Sequence, residues 1–296
     1  MIDRLLKMVA AARRSIVPDA EVAEAIPVRK NFPTEFVYQL FALIVAIIIV
    51  HAVYVSVIRP QAEIVLAQQA LDAAQNKDYV AERSIYVIVR DYEQETCFIL
   101  MLWAMAIIAF KVGAAIRERK LFEADLVPVS EGESVLPEDT REYARPLQAL
   151  PEAARNHLLP RVLLAALQRF RSTRNVQDVS TAVRTVCDAE SDRLDSELSM
   201  VRYIAWAIPA IGFIGTVRGI GDALGQAYRA VEGDISGVTE SLGVAFNSTF
   251  VALVLSIVLM FLLHQLQLLQ ERLVLDARSY ADDRLIRHMQ SRQSPA

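Results

Sequence analysis

Two threonines stand where a membrane interior would ordinarily carry leucine. In the stretch YIAWAIPAIGFIGTVRGIGDALGQAYRAVEGDISGVTESLGVAFNSTFVALVLSIVLMFLLH, residues 203–264, Thr216 and Thr249 each lie inside an apolar run, and Asn247 and Ser248 directly precede the second. Hydroxyl and amide groups of this kind do not ionise at physiological pH, so they cannot carry a proton alone. They can order water or replace part of the hydration shell of a passing ion. Three polar side chains in succession inside hydrocarbon are costly unless they face protein, water or an ion. Pro209, about two turns before Thr216, removes an intrahelical hydrogen bond and frees a carbonyl in the same region. Thr216, Thr249, Ser248, Asn247 and Pro209 are therefore the candidate ion pathway.

Two helices joined by a short acidic turn must position these groups. In an antiparallel hairpin the two threonines fall at a similar depth. On a helical wheel Ala205, Pro209, Gly212, Thr216, Gly219 and Ala223 share one face of the first helix, and Ala245, Thr249, Ala252 and Ser256 share one face of the second. Small residues let helix backbones approach where no hydrophobic effect drives association. The pairs Gly215/Gly219 and Gly221/Gly225 have the small-xxx-small spacing that does this. Gly212, Gly215, Gly219, Ala245 and Ala252 are read as the packing residues of the pore-side face. A purely structural account, in which these faces are tight seams and each hydroxyl bonds back to its own helix, competes with the ion-pathway account.

Composition places the hairpin in a membrane protein. Of 296 residues 54% are hydrophobic, the mean hydropathy is +0.30 and the formal net charge is −4. Soluble domains are usually about 45–50% apolar. Near-neutral charge offers no concentrated basic face for nucleic acid. Cys97 and Cys187 fall on opposite sides of the expected membrane, which excludes a disulfide within the chain, and nothing has metal-site spacing. The ten glycines are concentrated between Gly212 and Gly237.

The pattern predicts an all-α integral membrane protein with four spans and long cytoplasmic helical extensions. Residues 1–35 read as an amphipathic segment on the cytoplasmic surface. Spans are expected at 36–58, 97–116, 200–225 and 243–264, each long enough for about 30 Å of hydrocarbon. An acidic, helix-forming outer loop covers 59–96, with seven Asp/Glu against four Lys/Arg. Residues 117–199 form a cytoplasmic helical region, 226–242 an outer turn and 265–296 a cytoplasmic tail. With no breaker between Asn175 and Ala207, one long helix is expected to rise from the cytoplasm into the third span. Lys and Arg flank the ends at 29–30, 111–120, 202 and 272–278, which puts both termini inside. His51, inside the first span, reads as a neutral histidine bonded to a neighbouring helix or as a proton-handling group. Lys111 is expected to snorkel to the interface. Cytoplasmic Arg161, Arg169, Arg171 and Arg174 read as a solvated face or as an effector contact.

PAIGFIGTVRGI and GVAFNSTFVAL resemble the third- and fourth-span signatures of the MotA/TolQ/ExbB proton-channel family, with the four-span layout closer to the MotA branch. The resemblance covers roughly residues 200–265. It implies that Pro209, Thr216 and Thr249 are pore-facing. It also implies that five copies ring a dimer of a single-span partner (MotB, TolR or ExbD type) whose aspartate carries the ion. Three features depart from the family. Val244 stands where the TolQ/ExbB branch usually has glutamate. Arg218 follows Gly-Thr-Val where an apolar residue is usual. The tail is shorter than in the ZorA-like phage-defence branch. An arginine deep in a span costs roughly 2.5–3.5 kcal/mol, and Arg218 and Asp222, four apart, are expected to pair at the outer mouth.

The leading expectation is thus an ion-conducting subunit of an inner-membrane motor or energy transducer, moving H⁺ or Na⁺ without any cofactor. The predicted spans contain a single acid, Asp222, so the ion-carrying carboxylate is expected from the partner. A non-conducting oligomeric membrane scaffold is the competing class. An enzyme is not expected: there is no Gly-rich phosphate loop, HExxH or GxSxG, and His157, His264 and His288 lack paired ligands.

Overall fold

The structure is a computed structural model and describes residues 34–75, 83–124, 126–129 and 133–290. Apart from Thr34 and Glu35, the amphipathic segment read at 1–35 lies outside the described residues. Two units are distinguished, Met1–Tyr38 and Gln39–Ala296, and both apolar cores belong to the second. Among the described residues the chain is predominantly helical and has no strand, only one isolated parallel bridge between Val135 and Met289.

Helix α1 (Thr34–Val53) passes through a π-helical turn at Tyr54–Ile58 into α2 (Arg59–Gln75). Then come α3 (Tyr92–Arg119), α4 (Thr140–Ala149), α5 (Leu158–Thr173), α6 (Val176–Glu197), α7 (Ser199–Gly225) and α8 (Ser236–Arg284). Among the described residues, four stretches are long and apolar enough to cross a membrane: Glu35–Asp72, Tyr92–Glu123, Val176–Gly225 and Ser236–His288. Phe41, Ile48, Phe213, Ile257 and Phe261 point outward from them. Apolar surface on that scale suits lipid, not water.

Several boundaries differ from the sequence reading. The first helix runs past Ile58 because QAEIVLAQQALDAAQ is composed of good helix formers. α3 begins at Tyr92 rather than Cys97, which brings Glu93 and Glu95 into its outer end. α8 is one helix of 49 residues that absorbs the end of the expected turn and most of the tail. Its start is fixed by Asp234, whose Oδ1 accepts from the backbone N–H of Ser236 at 3.1 Å and from the Ser236 hydroxyl. Those bonds hold the Asp234 carboxyl below the usual carboxylate range. The preceding Gly233 has φ +100°, which favours glycine.

The single long helix expected into the third span is interrupted at Leu198. There the chain tightens into an i−3 turn, Leu198 N–H donating to Asp195 O at 3.1 Å. The Arg202 guanidinium donates to the same carbonyl at 2.6 Å and to the Asp195 carboxylate at 2.7 Å, compensating the lost helical bond.

Two apolar cores result. In the membrane, Cys97, Ala104 and Ile107 of α3 pack with Ile204 and Ile208 of α7 and with Ala252 and Leu259 of α8. In the second core, Leu163 and Phe170 of α5 pack with Val179 and Val183 of α6, Leu147 of α4 and Ala277 of α8. Ion pairs join the two at the inner end. Lys111 of α3 does not snorkel; it is buried and donates to Glu197 Oε2 at 2.6 Å. Glu190 of α6, also buried, accepts from Arg161 of α5 at 2.9 Å and from Arg193 at 2.5 Å. Arg161 is therefore a structural partner within the fold. Cys97 and Cys187 are both free and buried.

Phe170→Ala is expected to destabilise the α4–α6 bundle by about 3–5 kcal/mol. The measurement is thermal unfolding of the detergent-solubilised chain, in which outward-facing Phe41→Ala should leave the transition in place.

Candidate functional site

α7 and α8 approach closely because glycines occupy their crossing. A Cβ added at Gly219 would lie 2.7 Å from Ser241 O and 2.8 Å from Ala245 N. One at Gly215 would lie 2.5 Å from Ser248 Cβ and 3.2 Å from Glu93 Cγ, and one at Gly212 would overlap Ala252 Cβ. Gly212, Gly215, Gly219, Ala245 and Ala252, read from the sequence as the packing of a pore-side face, are all buried in this intrachain seam. Gly221 and Gly225 are not part of it. An added Cβ at either would meet nothing within 4 Å.

Close approach puts the hydroxyls within reach of the opposite helix. Thr216 Oγ1 donates to Ala245 O of α8 at 3.1 Å and lies 3.3 Å from Gly212 O of its own helix. Thr249 Oγ1 donates to Gly212 O of α7 at 3.2 Å, and the two threonine hydroxyls contact each other directly. Ser256 Oγ reaches Ala205 O across the seam at 3.3 Å, and Ser241 Oγ accepts from Gln226 Nε2 at 3.0 Å. Ser248 is buried and bonds back to Val244 O at 2.9 Å. The three successive polar residues thus divide: Thr249 enters the hydroxyl pair, Ser248 packs beside Gly215, and the half-buried side chain of Asn247 makes no hydrogen bond among the described residues. Both threonines are themselves half-buried.

Pro209 lies inside α7 and lines a groove of about 650 Å³ between α7 and α8, with Ala205, Trp206, Phe213, Ser256 and Met260. The groove opens on the side of the hairpin that carries the outward-facing Trp206 and Phe213. The structure therefore joins Thr216 to Thr249, while Pro209 lines the groove beside Ala205 and Ser256.

The expected Arg218–Asp222 pair is present but secondary. Arg218 is 3.7 Å from Asp222, while it grips Glu93 of α3 with a fork, Nε to Oε1 at 2.6 Å and a terminal nitrogen to Oε2 at 2.8 Å. Planar two-point geometry of this kind is the stronger arrangement for a guanidinium and a carboxylate. Glu95, one turn from Tyr92, is buried and accepts from His51 Nδ1 at 2.7 Å and from Arg59. His51 is thus bonded to a neighbouring helix. The expectation that Asp222 is the single acid in the spans is corrected by these two glutamates. Sequence reasoning misses them because composition starts the span at its apolar run. The signal for them is Asp91, an N-cap type, directly before a helix whose first turn holds Glu93 and Glu95. Among the described residues no group of three His, Cys, Asp or Glu side chains is placed to hold a metal.

A multi-pass, all-helical membrane protein with a hydroxyl pair in a glycine-packed hairpin is what the fold and site define. Residues 154–279, from the approach to α5 through most of α8, match the family model described as the MotA/TolQ/ExbB proton channel family, so the family resemblance of the α7 and α8 motifs is borne out over that segment. No curated protein and no solved structure matches the chain.

Gly219→Ala should force α7 and α8 apart at a cost of about 1–3 kcal/mol, as overpacking does. Gly221→Ala, two residues on in open space, should be neutral or raise helix stability by up to about 1 kcal/mol. Thermal unfolding of the two variants in detergent checks the contrast.

Proposed function

We propose that this chain is the ion-conducting subunit of an inner-membrane motor or energy-transducing complex. It uses proton or sodium motive force to drive rotation or force through a single-span partner that carries an aspartate. The observation that carries this reading is the Thr216–Thr249 hydroxyl pair, held across α7 and α8 inside the segment that matches a proton-channel family. Half-buried hydroxyls with carbonyls around them are suited to replacing part of an ion's hydration. The groove beside Pro209 is apolar and open along the hairpin, which suits the helix of the partner. Both termini are cytoplasmic in this reading, as the distribution of Lys and Arg supports. A homopentamer around a partner dimer is the assembly it uses, as in MotB-, TolR- or ExbD-type partners. No covalent chemistry and no cofactor belong to it. Flagellar, Tol/Exb-type, gliding and defence machines are all compatible loads.

One observation favours a second reading. The hydrogen bonds of the two threonine hydroxyls are made within the hairpin, as a non-conducting oligomeric scaffold would require. Thr249→Val separates the two, because valine keeps the shape and removes the hydroxyl. In inner-membrane vesicles of the native host, flux attributable to this chain should fall about tenfold, the scale of one hydrogen bond to a charged group, while the chain inserts and assembles as before. No chain-dependent flux in wild type or variant, with the variant's biological activity retained, would favour the scaffold.

A further inference from the structure

At the outer end of the α7–α8 seam the chain brings together three charges from two helices: Glu93 of α3, and Arg218 and Asp222 of α7. Glu93 does not sit at the surface by default. Its stem lies against the bare backbone of Gly215, where an added Cβ would stand 3.2 Å from its Cγ, beside Ser248. Glu93 therefore meets the α7–α8 seam at Gly215 and Ser248, the residues that directly precede Thr216 and Thr249. Its side chain is 12% exposed, against 44% for Arg218. Arg218 has a second acceptor one helical turn outward, Asp222 at 3.7 Å.

We propose that Glu93 is an ion-binding carboxylate contributed by this chain, and that Arg218 is the positioning residue that occupies it until an ion arrives. This rests on the ion-conducting reading above. The three side chains carry a formal net charge of −1, so one monovalent cation neutralises them. In the resting arrangement the guanidinium fills both oxygens of Glu93. When a cation from the outer side joins Glu93, Arg218 swings to Asp222, which is already within reach, and no charge is left unpaired. The cation on Glu93 then stands at the Gly215 end of the seam that holds Thr216 and Thr249. Of the neighbouring charges, Arg90 binds Glu240 at 2.8 Å and lies 3.6 Å from Asp91, Asp91 also faces Arg218 and Glu93, and Glu95 is held by Arg59 and His51.

The test uses the full chain expressed in a deletion strain of its native host, with ion flux read in inner-membrane vesicles by an interior pH dye under an imposed proton gradient, and by sodium uptake under a sodium gradient. The variants are Glu93→Gln, Arg218→Gln, the double variant, and the exchange E93R/R218E. Glu93→Gln should lower chain-dependent flux about tenfold and Arg218→Gln should raise it about tenfold, the scale of one charge-assisted hydrogen bond. The double variant should follow Glu93→Gln. The exchange should restore the amount of assembled chain without restoring flux. Where Glu93→Gln fails to accumulate, Glu93→Asp takes its place and should retain the ion response at reduced flux.

A merely structural brace predicts otherwise: both single variants would lose assembled chain and flux together, and the exchange would restore both. That result overturns the proposal. Chain-dependent flux that ignores all four variants also overturns it and leaves the conducting reading intact. Absence of any chain-dependent flux in the wild type removes the conducting reading and the proposal with it.

Discussion

The structure depends on the close approach of α7 and α8 at three missing side chains. With Gly212, Gly215 and Gly219 bare, Ser241, Ala245 and Ser248 pack against backbone, and short hydroxyl side chains become long enough to bond the opposite helix. A leucine at any of these positions would hold the helices too far apart for Thr216 to reach Ala245 O. In lipid this matters more than in water, because association of helices gains nothing from expelling water and must come from packing and polar contacts. The same feature that makes the hairpin stable therefore also creates the polar site inside it.

Charge pairs hold the hairpin at both ends. At the inner end Lys111–Glu197 ties α3 to α6, and Glu190 with Arg161 and Arg193 ties α5 to α6. At the outer end Glu93–Arg218 ties α3 to α7, and Glu95 with Arg59 and His51 ties α3 to the first helix. α3 is common to three of the four sets. It contributes no hydroxyl to the threonine pair, yet its two ends fix where the hairpin stands. Each set involves a buried or half-buried charge, for which breaking one partner is more disruptive than the pair's net worth suggests.

Much of this was legible in the sequence, and the limits have physical causes. The hydroxyl pair was readable because threonine is conspicuous in a run of Leu, Val and Ile, and helix geometry sets its depth. Gly215/Gly219 was readable by spacing, but Gly221/Gly225 has the same spacing and packs on nothing, since periodicity does not reveal which face a neighbour covers. Arg218 reads as the partner of Asp222 because i,i+4 pairs are visible along one helix. Its stronger partner lies 125 residues away and comes close only through the fold. Glu93 and Glu95 are hidden when a span is started at its first apolar run, whereas a helix starts where its backbone bonds start. The break at Leu198 had no breaker residue to announce it. At the break Arg202 reaches back seven residues and its guanidinium donates to the Asp195 carbonyl, a side-chain contact that no residue type announces.

Energetics link the seam to the proposed work. One elementary charge crossing 100 mV releases about 2.3 kcal/mol, while a hydrogen bond between membrane helices is worth roughly 0.6 kcal/mol on average. A single ion can therefore rearrange a few of the bonds that join α7 to α8, but cannot separate helices packed backbone to backbone. The hairpin would move as a rigid unit while its hydroxyl contacts and the Arg218 fork change partners. That division requires motion to pass along stiff elements. α8 runs unbroken from the turn at Gly233 into the second apolar core, where Ala277 packs with α5 and α6. Displacement at the threonines would then be delivered to the second apolar core along one continuous helix.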